Sequence, residues 1–178
     1  ALPILTLRTA GFASFNQDAL TEASKVLSDL LMFVGGSSGS TAGGVKTVTM
    51  GLVVLSAVNT MRGKRQVTVF GRSISQEDIS NAVSVALLVM GLSLLGAAVI
   101  TVCDGCSFMN AIYETISALC TVGLTTGITP TLCTASKLIL IVFMFFGRVG
   151  IMTIGVGFMM GDRAKERVQY AQTKVMIG

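Results

Sequence analysis

SFMNAIYETISALCTVGLTTG, residues 107–127, decides how the rest of the chain is read. Its first fourteen residues set Phe108, Ile112, Ile116, Leu119 and Cys120 at helical spacing behind Ser107, a residue type suited to a helix N-cap. Such a helix is too short to cross a hydrocarbon core, which needs about 20 residues. It runs directly into TVGLTTG, residues 121–127. A re-entrant half-helix, entering and leaving the membrane on one side, fits both facts. Pointed inward, it sets the negative end of its dipole toward the membrane centre, a favourable arrangement for a cation.

The surroundings are those of a membrane chain. The sequence is 52% hydrophobic and only 12% charged, with mean hydropathy +0.77, against roughly 25% charged residues in an ordinary soluble domain. Histidine is absent, which removes imidazole acid/base catalysis, Ser-His triads and His-ligated metal sites. Cys103 and Cys106 form a C-x-x-C pair with no second pair to complete a zinc site, so they read as small apolar residues at a membrane edge. Ile79 to Cys103 carries no charge and is long enough to span. Its Gly91 and Gly96 can admit close helix packing. A second span is expected from about Ala135 to Met160, with Arg148 as its single central charge. A third apolar stretch runs from about Ala23 to Thr60 and is interrupted near its middle.

Basic residues set the sidedness. Arg62, Lys64, Arg65 and Arg72 lie between the third stretch and Ile79, and Arg163, Lys165, Arg167 and Lys174 follow Gly161. Both regions are expected on the cytoplasmic side, with the half-helix entering from the outer side. Asp104 reads most simply as an outer loop residue. Glu114 has two readings, bonding backbone behind TVGL or facing outer water.

The chain also repeats itself. At an offset of 112, Thr9-Ala10-Gly11-Phe12 meets Thr121-Val122-Gly123-Leu124, and Ala23-Ser24-Lys25 meets Ala135-Ser136-Lys137. In the same register Met32-Phe33 meets Met144-Phe145, and Gly35, Thr41 and Gly43 meet Gly147, Thr153 and Gly155. Each copy is a T-x-G-[FL] element followed by a helix returning across the membrane. The first copy starts at its T-x-G-F element, so the chain is expected to be the C-terminal part of a longer protein. The chemistry suits an alkali cation, which must exchange hydration water for oxygen ligands. Backbone carbonyls supply these without burying a charged side chain, glycine keeps successive carbonyls directed at the ion, and the threonine hydroxyl can add an oxygen.

Half-helix, T-x-G-[FL] and returning helix in tandem resemble the Trk/Ktr/HKT superfamily of potassium and sodium transporters, closest to its bacterial KtrB/TrkH-type membrane subunits. MFVGGSSGSTAGGVKT, residues 32–47, resembles the broken inner helix of that family's third repeat. FFGRVGIMTIG, residues 145–155, resembles the inner helix of its fourth, arginine included. The resemblance implies an all-α membrane protein of tandem helix, pore-loop, helix repeats around a central ion pore. Residues 1–61 would be the end of repeat three and 62–78 a cytoplasmic linker. Residues 79–161 would be repeat four and 162–178 a cytoplasmic tail.

The same resemblance implies potassium uptake across the plasma membrane, with no catalysis and no cofactor in this chain. Backbone carbonyls of Thr9, Ala10, Gly11, Phe12, Thr121, Val122, Gly123 and Leu124 would form part of a selectivity filter for K+. Gly35, Gly36, Ser37, Ser38, Gly39, Ser40, Thr41, Ala42, Gly43 and Gly44 would form an intramembrane gate, with Lys46 at its cytoplasmic end and Arg148 facing the pore beneath the filter. The implied partners are the lipid bilayer, a second copy in a homodimer, and a cytosolic KtrA/TrkA-like subunit that binds ATP/ADP or NAD. Nucleic acid is not among them. Two alternatives stay open: sodium conduction or Na+/H+-coupled potassium transport, and a nucleotide-binding membrane enzyme. The second draws on Gly39–Thr47, which comes within one residue of G-x-x-x-x-G-K-[ST] but lies between membrane-type segments rather than between a strand and a soluble helix.

Overall fold

The computed structural model describes residues 7, 11, 17–37, 43–63, 68–69 and 72–150. They form five α-helices: α1 (Glu22–Phe33), α2 (Thr47–Met61), α3 (Gln76–Asp104), α4 (Phe108–Leu119) and α5 (Thr134–Val149). A two-rung antiparallel hairpin, β1 (Thr68–Val69) with β2 (Arg72–Ser73), lies between α2 and α3. The described residues are otherwise helical, consistent with the expected all-α class. The Lys64 and Arg65 positions and everything after Gly150 lie outside the described residues.

Helix α3 is, among the described residues, the one helix long and apolar enough to cross a membrane. Ser75 starts it by accepting the Asp78 N–H, and Gly105 ends it in the left-handed conformation at φ 64. Apolar side chains surround it. Val89, Ala97 and Ile100 are buried, while Leu87, Leu88, Leu94, Leu95 and Val99 are exposed. Exposed leucines on a spanning helix suit a lipid environment, where an apolar exterior carries no cost.

The half-helix α4 occupies the centre, packed against α1, α3 and α5. Ser107 is its N-cap by position, although its side chain makes no capping bond. Tyr113, Thr115, Leu119 and Cys120 are fully enclosed. Polar bonds fix its neighbours: the Thr115 hydroxyl donates to the Ser93 carbonyl at 3.1 Å, and Lys25 Nζ donates to Asn110 Oδ1 at 2.9 Å. Gly96 admits the Phe143 ring, which would lie 2.2 Å from an added Cβ, whereas among the described residues nothing lies within 4 Å of a Cβ on Gly91. Of the two expected packing glycines, Gly96 is the one in close contact among the described residues.

One expectation needs correction, and another is covered only in part. Of the apolar run expected to span from Ala135 to Met160, the residues up to Val149 form helix α5, capped by Gly150 at φ 91, and Ile151 to Met160 lie outside the described residues. Asp104 is not a loop residue. It is the last residue of α3, and its carboxylate accepts the Cys133 N–H at 2.6 Å and the Ser136 hydroxyl at 2.5 Å. It thereby tethers the first turn of α5 to the end of α3.

The sequence repeat has a structural counterpart. The 3-10 turns Gln17–Ala19 and Thr129–Thr131, and the helix starts Glu22 and Thr134, each lie 112 residues apart. Thr21 and Cys133, also 112 apart, cap their helices by accepting the N–H of Ser24 and Ser136. Gly11 and Gly123 share a left-handed backbone, at φ 70 and 83.

Candidate functional site

The end of α4 turns sharply. Thr121 stands at φ 56 and Gly123 at φ 83, the first an uncommon conformation for a β-branched residue. The turn is held from within: Val122 N–H donates to the Ser117 carbonyl at 2.9 Å, and the Ser117 hydroxyl donates to the Leu124 carbonyl at 2.6 Å. Burial alternates along the segment. Val122 and Leu124 are each 3% exposed, while Gly123 between them is open. The two side chains thus anchor the segment in the core, and the glycine leaves bare backbone on the opposite side. A Cβ on Gly123 would meet nothing within 4 Å among the described residues.

Glu114 braces the residues beyond Leu124. Its Oε1 accepts the Thr125 hydroxyl at 2.5 Å and the Thr126 N–H at 3.0 Å, and its Oε2 accepts the Thr129 hydroxyl at 3.1 Å. The carboxylate is buried. Of the two readings of Glu114, bonding behind the segment is the one observed. Its neighbour Tyr113 braces the first copy in a parallel way, donating its hydroxyl to Gln17 Oε1 at 3.1 Å. Gln17 and Thr129 are equivalent positions in the repeat. Sequence reasoning missed Ser117, Tyr113 and the Thr125 to Thr129 hydroxyls. The available signal was a run of polar residues on an otherwise apolar short helix.

Gly11, the described residue of the first T-x-G element, lies against the second element. A Cβ on Gly11 would lie 2.7 Å from the Val122 carbonyl oxygen, so only a glycine fits beside it. Thr9, Ala10 and Phe12 lie outside the described residues.

The interrupted apolar stretch is clasped at its base. Helix α1 stops at Phe33, and a single parallel bridge joins Val34 to Val45. Gly35 N–H donates to the Val45 carbonyl at 2.9 Å, Val45 N–H to Phe33 at 3.3 Å and Thr47 N–H to Gly36 at 3.2 Å. Ser38, Gly39, Ser40, Thr41 and Ala42 lie outside the described residues. The downstream side of the base rests on the end of α4: Gly43 N–H donates to the Thr121 hydroxyl at 2.9 Å. The threonine hydroxyl, which can add an oxygen ligand, here accepts a bond from the loop base. A phosphate loop is disfavoured on two counts. The element before it is helix α1 rather than a strand, and the Gly43 N–H already has an acceptor.

Lys46 is the N-cap residue of α2 and is exposed. With Gly44, Asp78, Asn81, Gly147 and Gly150 it lines a cavity of about 530 Å³ between the loop base, α3 and the end of α5. Arg148 lies in the last turn of α5, its side chain exposed. Next to it, Gly147 is pressed against the end of α4, where an added Cβ would lie 2.1 Å from the Leu119 carbonyl oxygen.

Comparison with known proteins gives this arrangement a context. The TrkH family, described as a cation transport protein, matches residues 1–166. The Ktr system potassium uptake protein B of Bacillus subtilis is 37% identical over 174 residues, covering 98% of this chain and 39% of that protein. The potassium/sodium uptake protein NtpJ of Enterococcus hirae is 35% identical over 179 residues, covering 98% and 40%. The Ktr system potassium uptake protein B of Vibrio alginolyticus is 32% identical over 173 residues, covering 96% and 37%. The chain spans about two fifths of the length of these relatives.

Proposed function

The chain belongs to the TrkH cation transport protein family, a family of membrane transporters rather than enzymes, and from that premise we propose that it forms the filter-and-gate portion of a monovalent cation uptake protein. Potassium is the preferred ion, following the relatives named for potassium uptake. Sodium conduction is a second reading, favoured by the potassium/sodium name of the Enterococcus relative. The observation that carries the proposal is the approach of Gly11 to the Val122 carbonyl. It sets the glycine of one T-x-G element against the other, 112 residues on, as a shared ring of carbonyl ligands requires.

In this reading Thr9 to Phe12 and Thr121 to Leu124 line the ion path with backbone oxygens. Val122 and Leu124 anchor the second segment, and Glu114 holds its shape from behind. Residues 1–61 and 79–161 act as two successive repeats of a pore completed by the rest of a longer protein, with 62–78 and 162–178 on the cytoplasmic side. The stretch Gly35 to Gly44, clasped at its base, lies beneath the filter and limits flow. Irregular backbone at that depth is tolerated where it borders water or protein. Lys46 and Arg148 sit on the inner side, where their charge opposes cation passage. A buried arginine costs at least about 2.5–3.5 kcal/mol at mid-membrane, so an exposed side chain there suits a water-filled vestibule. The longer protein forms a homodimer and docks a cytosolic nucleotide-binding subunit on its basic inner face; the Ktr system names of relatives support a multi-component assembly.

The test is potassium and sodium uptake by the full-length protein, with its regulatory subunit supplied, in cells lacking their own potassium importers. Wild type restores potassium accumulation. Gly123→Ser, which strains a φ of 83 and projects a hydroxyl into the open side, weakens potassium uptake or admits sodium. Absence of either cation flux from a well-expressed wild type would overturn the proposal.

A further inference from the structure

Thr121 is where three parts of the molecule meet. Its hydroxyl accepts the Gly43 N–H at 2.9 Å, and a Cβ on Gly43 would lie 2.8 Å from that oxygen and 2.9 Å from Cγ2. On another side Gly147 of α5 approaches so closely that a Cβ there would lie 3.0 Å from Thr121 Cγ2. The adjoining Gly44 is in contact with Cys120, whose Sγ would be 2.9 Å from an added Cβ. Two glycines from distant parts of the sequence thus make room for one threonine side chain. The third part is the backbone of Thr121 itself, which enters the T-x-G segment in the left-handed region at φ 56. A β-branched residue holds that conformation only when its surroundings over-determine it. Here the surroundings are the loop base and the helix that carries Arg148.

We propose that Thr121 is a positioning residue that couples the second filter segment to the base of the glycine-rich stretch, through the hydrogen bond its hydroxyl accepts from Gly43. The proposal rests on the transport reading above. It assigns the threonine a role other than ion ligand. With its hydroxyl turned to Gly43 and its methyl group against Gly147, the side chain fixes the distance between filter, loop base and α5. Displacing the base from the filter requires breaking this bond, so the bond favours the arrangement in which the base lies against the filter. One neutral hydrogen bond shifts such a two-state balance about three- to tenfold.

The full-length protein with its regulatory subunit, reconstituted in liposomes, provides the test. Thr121→Val keeps the branched shape and deletes the hydroxyl; Thr121→Ser keeps the hydroxyl and deletes the methyl. Thr121→Val is expected to raise the maximal potassium flux about three- to tenfold, with smaller changes in the KM for potassium and in the potassium-to-sodium ratio. Thr121→Ser, which keeps the hydroxyl but loses the methyl contact with Gly147, is expected to raise flux less than Thr121→Val. Gly43→Ala, which forces the base off the threonine, raises flux likewise, and combining it with Thr121→Val adds nothing further. If Thr121→Val fails to accumulate in the membrane, Gly43→Ala alone must still raise flux more than it changes KM. A changed KM or ion ratio at wild-type maximal flux would mean that the hydroxyl serves the ion, and unchanged kinetics would mean that the bond couples nothing. Either result overturns the proposal while leaving the transport reading intact, whereas a wild type that moves no cation overturns both.

Discussion

Helices α1 and α5 start alike and end differently. Both begin 112 residues apart in the repeat, behind equivalent cap residues Thr21 and Cys133, and both reach an equivalent glycine, Gly35 or Gly147. In the first copy the helix is already over at Phe33, and Gly35 lies so close to the other side of its own loop that a Cβ would be 2.3 Å from the Gly43 carbonyl oxygen. In the second the helix continues to Val149, and Gly147 lies against the end of α4. One repeated glycine position thus serves two purposes: folding a loop back on itself, and letting a helix approach the end of α4. The next residue differs accordingly, Gly36 in one copy and Arg148 in the other.

Breaking each glycine measures the difference. Gly147→Ala sets a methyl group against the Leu119 backbone, which cannot turn aside as a side chain would. A loss of about 3 kcal/mol or more is expected, seen as a large drop in thermal midpoint of the purified full-length protein. Gly35→Ala meets backbone too, but within a loop base held by one bridge, so the midpoint falls less and flux changes more. Equal losses of stability in the two variants would undo the contrast drawn between them.

The braces from α4 allow a second comparison. Glu114→Ala leaves the Thr125, Thr126 and Thr129 donors without their buried acceptor, an expected loss of about 2–4 kcal/mol with poorer ion discrimination. Tyr113→Phe removes one neutral bond to Gln17 and should cost about 1 kcal/mol. Thermal unfolding of the two variants side by side checks the order, and a costlier Tyr113→Phe would mean that the first copy depends more on α4 than the second.

The smallest effects lie at the caps. Thr21→Ala should lose about 1 kcal/mol, as hydroxyl N-caps do. Cys133→Ser replaces a 3.5 Å sulfur contact to the Ser136 N–H with a better acceptor and should gain about 0.5 kcal/mol. If the serine variant melts no higher than wild type, the Asp104 carboxylate already satisfies the start of α5.

Much of this architecture is legible in the sequence because it is local. The half-helix is visible in apolar spacing between Ser107 and Cys120, the long span in an uncharged run, and the loop in its glycines and serines. The equivalence of the two copies is visible because duplication preserves register. The Gly150 cap of α5 is not, since hydropathy carries no record of a glycine at φ 91. Nor is the Gly43 to Thr121 bond, which joins residues 78 apart and depends on how α1 and α5 flank α4. The role of Asp104 is hidden for a similar reason: its partners lie 29 and 32 residues downstream.

That carboxylate has a mechanical consequence. Asp104 pins the start of α5 to the end of α3, while at the far end of α5 Gly147 and Gly150 border the cavity they share with α3. A rod pinned at its first turn, with Gly147 braced against α4 and a cavity on its α3 side, has room to tilt in one direction, toward that cavity. Twelve residues of helix separate Ser136 from Arg148, about 18 Å of arm at 1.5 Å per residue, so a 5° tilt about the pivot carries the guanidinium's anchor roughly 1.6 Å sideways. The pivot at Ser136 would scarcely shift, and the stroke would be delivered almost entirely to the Arg148 end.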